Sequence, residues 1–216
     1  MPVQIAPSLL AANFLSLGTE IEMLNISADI IHLDVMDGSF VPNISFGFPV
    51  IDQLSKVARI PMDAHLMVVN PDKWFDKLHE EGVQMVSFHL EVSGDNTGTY
   101  IDSLHRLGIK AGIAINPDIP VRSLFEYIGK ADYFLVMSVF AGFGGQDLVE
   151  DTYSRIKELK EAIDRYGADT SIEVDGGVRD TNIQALKEAG ASIIVTGSHV
   201  FRSQDPSATI EKLRNL

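Results

Sequence analysis

The 216-residue chain contains no cysteine, which excludes disulfide bonds, thiolate metal ligands and a cysteine nucleophile. Basic residues are also sparse: 17 Lys and Arg stand against 30 Asp and Glu, a net charge of −13. A phosphate backbone needs clustered cations, so no nucleic acid is expected as a partner. The same imbalance means that an anionic small molecule has to be held by local backbone dipoles, because the overall field repels it. Long apolar runs are missing too, and nothing approaches the roughly 18 residues that cross a bilayer. The opening MPVQIAPSLLAANF lacks a basic stretch followed by an apolar core and a small-residue cleavage site. No membrane partner and a cytoplasmic location are the expectations. No linker or low-complexity tract interrupts the chain, which predicts one domain over residues 1–216.

What fills the chain is alternation. Strand-like segments fall at 4–10, 29–36, 62–68, 85–91, 110–116, 133–139, 171–176 and 192–198. Between them the apolar residues repeat at helical spacing: Leu17, Ile21 and Leu24 within 15–25, and Ile156, Leu159 and Ile163 within 147–166. The last helix, 205–216, opens on Asp-Pro, a cap followed by proline in the first turn. Eight such pairs predict a parallel sheet closed into an α/β (β/α)8 TIM barrel. No GxGxxG follows the first strand to support an open, doubly wound sheet instead.

In such a barrel the chemistry stands where strands end. In IIHLDVMDG, strand alternation puts His32, Asp34 and Met36 on one face and Leu33 and Val35 on the other. A buried carboxylate without a partner is costly, so Asp34 needs pairing, a metal or a task. His65 in MDAHLM and Asp175 in SIEVDGG occupy similar positions near their own strand ends. A lone inward histidine is usually a packing residue. Two imidazoles and two carboxylates from three strands make instead a candidate divalent-cation site, and mixed N/O ligands suit Zn, Fe(II), Mn or Co. His89 stands at another strand end and is expected to line the pocket. His79 and His105 are expected to be solvated, while His199 has no assigned place. Trp74 and Phe75 are expected to pack. Glu173 shares the face of Asp175 with no evident partner, and Asp37 is read as a loop or capping residue.

Glycines mark a second feature. AGFGGQ (141–146) follows the sixth strand, DGG (175–177) the seventh, and TGS (196–198) ends the eighth. Glycine lets backbone amides approach a phosphate closely, and late βα loops are a recurrent phosphate site in barrels. With no dense Lys/Arg cluster in view, amide donors are expected to carry most of that binding.

The segments APSLLAANF, HLDVMDGSFVPNISFG, DAHLMVVNP, MSVFAGFGGQ, IEVDGG and VTGS resemble, in matching order over nearly the whole chain, the ribulose-phosphate 3-epimerase family. The resemblance implies a barrel that binds one divalent metal ion and a sugar phosphate. It further implies C3 epimerisation between D-ribulose 5-phosphate and D-xylulose 5-phosphate in the pentose phosphate pathway, and a homo-oligomer. By the same resemblance His32, Asp34, His65 and Asp175 are the metal ligands, and Asp34 and Asp175 the catalytic acid–base pair. Ser8, His65, Gly142, Phe143, Gly144, Gly145, Gly176, Gly177, Gly197 and Ser198 are implied to bind substrate and phosphate. Met36, Met67 and Met137 resemble the family's sulfur-rich pocket wall.

The chemistry fits these residues independently. Epimerisation next to a ketone removes a proton on one face and returns one on the other, which two opposed carboxylates can do. A cation stabilises the ene-diolate between the two steps. Phe140 and Ala141 depart from the family's usual acidic or amide residue and proline, as Asp147 departs from its basic or neutral residue. These changes bear on substrate preference, so a sister activity on allulose 6-phosphate is the alternative. Barrel decarboxylases with an Asp-x-Lys-x-x-Asp pattern are a poorer match, because DVMD has Met36 where the lysine would stand. A non-catalytic sugar-phosphate sensor would not need both inward carboxylates.

Overall fold

Apolar segments of four to six residues become strands in the computed structural model, which describes residues 3–216. They are β1 (Gln4–Pro7), β2 (Ile31–Met36), β3 (Met62–Met67), β4 (Met85–His89), β5 (Lys110–Ile115), β6 (Tyr133–Met137), β7 (Ser171–Asp175) and β8 (Ile193–Thr196). All pair in parallel in the order β1-β8-β7-β6-β5-β4-β3-β2, and one parallel bridge between Ser8 and His32 brings the two edges together. The predicted eight-stranded barrel is the observed one. Its α-helices among the described residues are α1 (Leu17–Ser27), α2 (Phe48–Ser55), α3 (Phe75–Glu80), α4 (Leu90–Ser93), α5 (Thr97–Arg106), α6 (Thr152–Tyr166), α7 (Ile183–Ala189), α8 (Ser198–Phe201) and α9 (Pro206–Asn215). None is long and apolar enough to cross a membrane.

Two cores follow from strand alternation. Outward residues such as Leu33, Leu66, Phe88, Phe134 and Val174 pack under the helices, each stabilising by about 1.5–3 kcal/mol on full burial. Inward, Ala6, Ile30, Met85, Tyr133, Ile193 and Val195 form a second, smaller apolar cluster. The interior also holds polar side chains, with His32, Asp63, His65, Ser87, His89 and Glu173 all fully buried. A close approach makes this possible: a Cβ on Gly112 would lie 2.3 Å from Tyr133 Cζ. Only glycine leaves room there for the tyrosine ring inside the barrel. The last helix is locked to the first strand through Asp29, which accepts from Arg214 Nη2 at 3.0 Å and from Ile5 N at 2.8 Å.

Several predicted boundaries shift. All strands but β2 end one to three residues early: Leu10 lies in a 3-10 turn, Leu90 and Glu91 open α4, and Ser198 opens α8. Side chains intercept the backbone at such points, as where Ser8 Oγ accepts from Leu10 N. The helix expected from 147 starts at Thr152, because Val149 N bonds back to Ser138 O at 2.8 Å. In the fifth unit Val121–Tyr127 is a 3-10 helix, confined between Pro120 and Gly129. The helix expected from 15 begins at Leu17 after a 3-10 turn, and Leu15 is exposed. The last helix starts as expected, with Asp205 capping Ala208 N.

Candidate active site

Sheet register brings together residues that are far apart in sequence. Asp34 on β2 pairs with His65 on β3, and His32 with Asp63 one layer deeper. Asp175 ends β7 beside Met137 on one side and Val195 on the other. One ligand atom from each of His32, Asp34, His65 and Asp175 lies within 4.8 Å of the others. The individual approaches are 3.4 Å from His32 Nε2 to Asp34 Oδ1, 3.2 Å from His65 Nδ1 to the same oxygen, and 3.9 Å from His65 Nδ1 to Asp175 Oδ2. The other Asp34 oxygen accepts from the Ser8 hydroxyl.

These four residues fit a divalent cation. His32 Nε2 is fully buried and has no hydrogen-bond partner, an arrangement that a cation would satisfy. The opposite ring nitrogen, Nδ1, stands 2.8 Å from Asp63 Oδ2, and Asp63 Oδ1 accepts from Tyr133 Oη at 2.6 Å. A carboxylate behind an imidazole in this way fixes the tautomer that leaves the other nitrogen free to ligate. The sequence pattern did not single out Asp63 or Tyr133. The signal for Asp63 was its place two residues before His65, which puts both on one face.

The polar groups oppose one another electrostatically. Burial would push the Asp34 carboxyl up, but the nearby His32 and His65 rings outweigh it and hold Asp34 well below the carboxylate range. Asp175 moves the other way, to about 7, through burial and repulsion by Asp34. Burial lowers His65 to about 4 despite its bond to Asp34, while Asp34 and Asp63 raise His32 against the same penalty. Two carboxyls in one site thus differ in protonation near neutral pH, the condition for an acid–base pair. Glu173, pushed to about 8 by burial and by Asp63, has no hydrogen-bond partner on either oxygen, and its Oε1 stands 3.6 Å from His32 Nδ1.

A cavity of about 610 Å³ opens above the carboxylates. Ser8, Asp34 and Asp175 reach it, with Met36, Met67 and Met137 as an apolar wall. His32 and His65 are fully buried and absent from the lining. The glycine segments form the opposite side: Gly142, Phe143, Gly144 and Gly145, then Gly176 and Gly177, then Gly197 and Ser198. Gly177 has φ +62°, and a Cβ there would stand 2.5 Å from Leu148 N, so the close passage of these two loops requires glycine. Phe140 and Phe143 are half exposed at the rim. Arg179 and Arg202 also line the cavity, together with His199; the two arginines are cations that sequence reasoning missed because neither belongs to a basic cluster.

Other expectations divide. His89 does not line the pocket: it is buried, 2.9 Å from His65 Nε2, with its ring against Phe40. His79 is exposed, while His105, also exposed, pairs with Asp132 at 2.8 Å. Asp37 is a turn residue that accepts from Ser39 N at 2.9 Å. Phe75 is buried and Trp74 packs on Phe48. Asp147 pairs with Arg179 at 2.8 Å.

A family model described as the ribulose-phosphate 3 epimerase family matches residues 4–201. A ribulose-phosphate 3-epimerase of Aquifex aeolicus is 40% identical over 213 residues, covering 98% of this chain and 96% of the relative. One of Mycobacterium tuberculosis is 40% identical over 210 residues, covering 97% and 91%. Among solved structures, a 3-hexulose-6-phosphate synthase superposes with a TM-score of 0.74 at 17% identity, covering 100% of this chain and 99% of that one. This last likeness concerns the barrel alone.

Proposed function

The chain belongs to the ribulose-phosphate 3-epimerase family, and on that premise we propose that it interconverts D-ribulose 5-phosphate and D-xylulose 5-phosphate, a step of the pentose phosphate pathway. The observation that carries the mechanism is the pair Asp34 and Asp175, which face one cavity with opposed pKa displacements. In one direction Asp34 accepts the C3 proton and Asp175 delivers one to the opposite face; in the other the roles exchange. Ser8 holds Asp34 by its hydroxyl. The methionine wall keeps water from the carbanionic carbon without competing donors. Amides of the glycine segments, aided by the rim cations, hold the phosphate.

His32, Asp34, His65 and Asp175 are the proposed holders of one divalent ion, drawn from Zn, Fe(II), Mn and Co. When bound, it would stabilise the negative charge that develops on the substrate's two adjacent oxygens. The whole chain acts as one catalytic domain, and assembly into a homo-oligomer and a cytoplasmic location complete the proposal.

Steady-state assays of the metal-loaded protein on D-ribulose 5-phosphate and D-allulose 6-phosphate test the substrate. A higher kcat/KM for the pentulose is expected; a higher value for the hexulose would transfer the assignment to the alternative, with Phe140 and Ala141 as the first residues to exchange.

A further inference from the structure

His65 is joined to the glycine loop by an unbroken line of hydrogen bonds. Its Nε2 stands 2.9 Å from His89 Nε2, and His89 Nδ1 stands 3.3 Å from Glu91 Oε1. The same Glu91 oxygen accepts from Asn116 Nδ2 at 2.8 Å and from Asn116 N at 3.2 Å. Asn116 Oδ1 then accepts at 2.9 Å from the amide of Ala141, the first residue of AGFGGQ. Buried Arg155 clamps the far end, with Nη2 donating to Asn116 O at 2.8 Å and Nη1 to Met137 O at 3.0 Å.

We propose that His89 and Glu91 are positioning residues that lock the ring and tautomer of His65 and tie that ligand, through Asn116, to the base of the glycine loop. The proposal rests on the ion site described above. Proton bookkeeping allows one direction along the line. If His65 Nδ1 is kept free to ligate, Nε2 carries the hydrogen and donates to His89 Nε2. His89 then carries its own hydrogen on Nδ1 and donates to Glu91 Oε1, which when ionised carries no proton and can only accept. Glu91 is suited to this: burial opposes its ionisation, but the bonds from His89 and Asn116 hold its pKa below the usual value. The two imidazole centroids are 5.0 Å apart with planes 29° apart, the spacing of rings bonded edge to edge, and the Phe40 ring lies 4.6 Å from that of His89. Neither ring is exposed, so water cannot substitute for a lost partner without opening the interior. One carboxylate therefore serves both ends of the site: it orients a ligand at one and fixes, at the other, the turn from which the phosphate loop departs.

The test uses the metal-stripped full chain, titrated with Co(II) and, separately, with inorganic phosphate. In Glu91→Leu, Co(II) affinity should fall about 10–100-fold, the visible bands of bound Co(II) should change, and phosphate affinity should fall as well. Glu91→Gln, which retains the acceptor oxygen, should recover most of both. Asn116→Ala should weaken phosphate while leaving the Co(II) spectrum unchanged. A folded Glu91→Leu protein with wild-type Co(II) affinity and spectrum would overturn the relay and spare the ion site, whereas a wild-type chain that fails to bind Co(II) overturns both. Ring ¹⁵N spectra of the wild-type protein provide a second check that needs no variant. With Zn(II) bound, hydrogen on His65 Nε2 and on His89 Nδ1 is expected, and the opposite tautomers contradict the proposal.

Discussion

Asp175 carries the most consequential single side chain, because it is a carboxyl held near neutrality in direct view of an ionised one. Asp175→Asn should lower epimerisation by about 10²–10⁴-fold, read from initial rates with saturating metal. Glu173 makes a separate prediction about stability. Its folded pKa, about 8, lies above the ordinary carboxyl value, so its contribution is complete at acid pH and is lost as pH rises toward 8. In chelator-treated protein, Glu173→Gln should remove that loss and stabilise the fold above pH 8 by roughly a few kcal/mol, measured by denaturant unfolding across pH. His32, Asp34, His65 and Asp175 were legible in sequence because alternation and strand ends suffice to place them. Asp63 and Tyr133 were not, since their role depends on which residue the neighbouring strand sets beside them. The place of His89 was not legible for a similar reason: a strand-end histidine can face the cavity or another imidazole, and only geometry decides.

Strands and loops carry the site through close approaches that sequence pattern does not display. Gly112 on β5 is the sharpest case, as its missing Cβ is where the Tyr133 ring lies. Gly112→Ala should cost about 1–3 kcal/mol by overpacking, read as a lowered unfolding midpoint. It should also weaken Co(II) binding, because a displaced Tyr133 no longer holds the carboxylate behind His32. The eight strands themselves were readable from alternating and apolar runs. Their ends were not, because polar alternation continues past the last ladder bond into residues such as Leu90 and Glu91 that have already turned. The segment before Thr152 has helical composition, yet its bond back to Ser138 O keeps it a loop.

At the scale of the molecule, a net charge of −13 surrounds a cavity proposed to take a phosphate ester. At about 0.01 M salt the Debye length is about 30 Å, so the whole charge repels the substrate; at about 0.1 M it is about 10 Å and contacts inside the cavity persist. Raising salt across that range should therefore raise kcat/KM, by screening the approach before it screens the grip of Arg179 and Arg202. The central claim, proton transfer by two carboxylates on opposite faces, is tested most directly in D₂O. D-ribulose 5-phosphate is incubated with metal-loaded protein and followed by ¹H NMR at C3. Xylulose 5-phosphate should appear with deuterium at C3, because the acid that delivers the proton is not the base that removed it. Product that retains its original hydrogen at C3 would contradict transfer by two separate carboxylates.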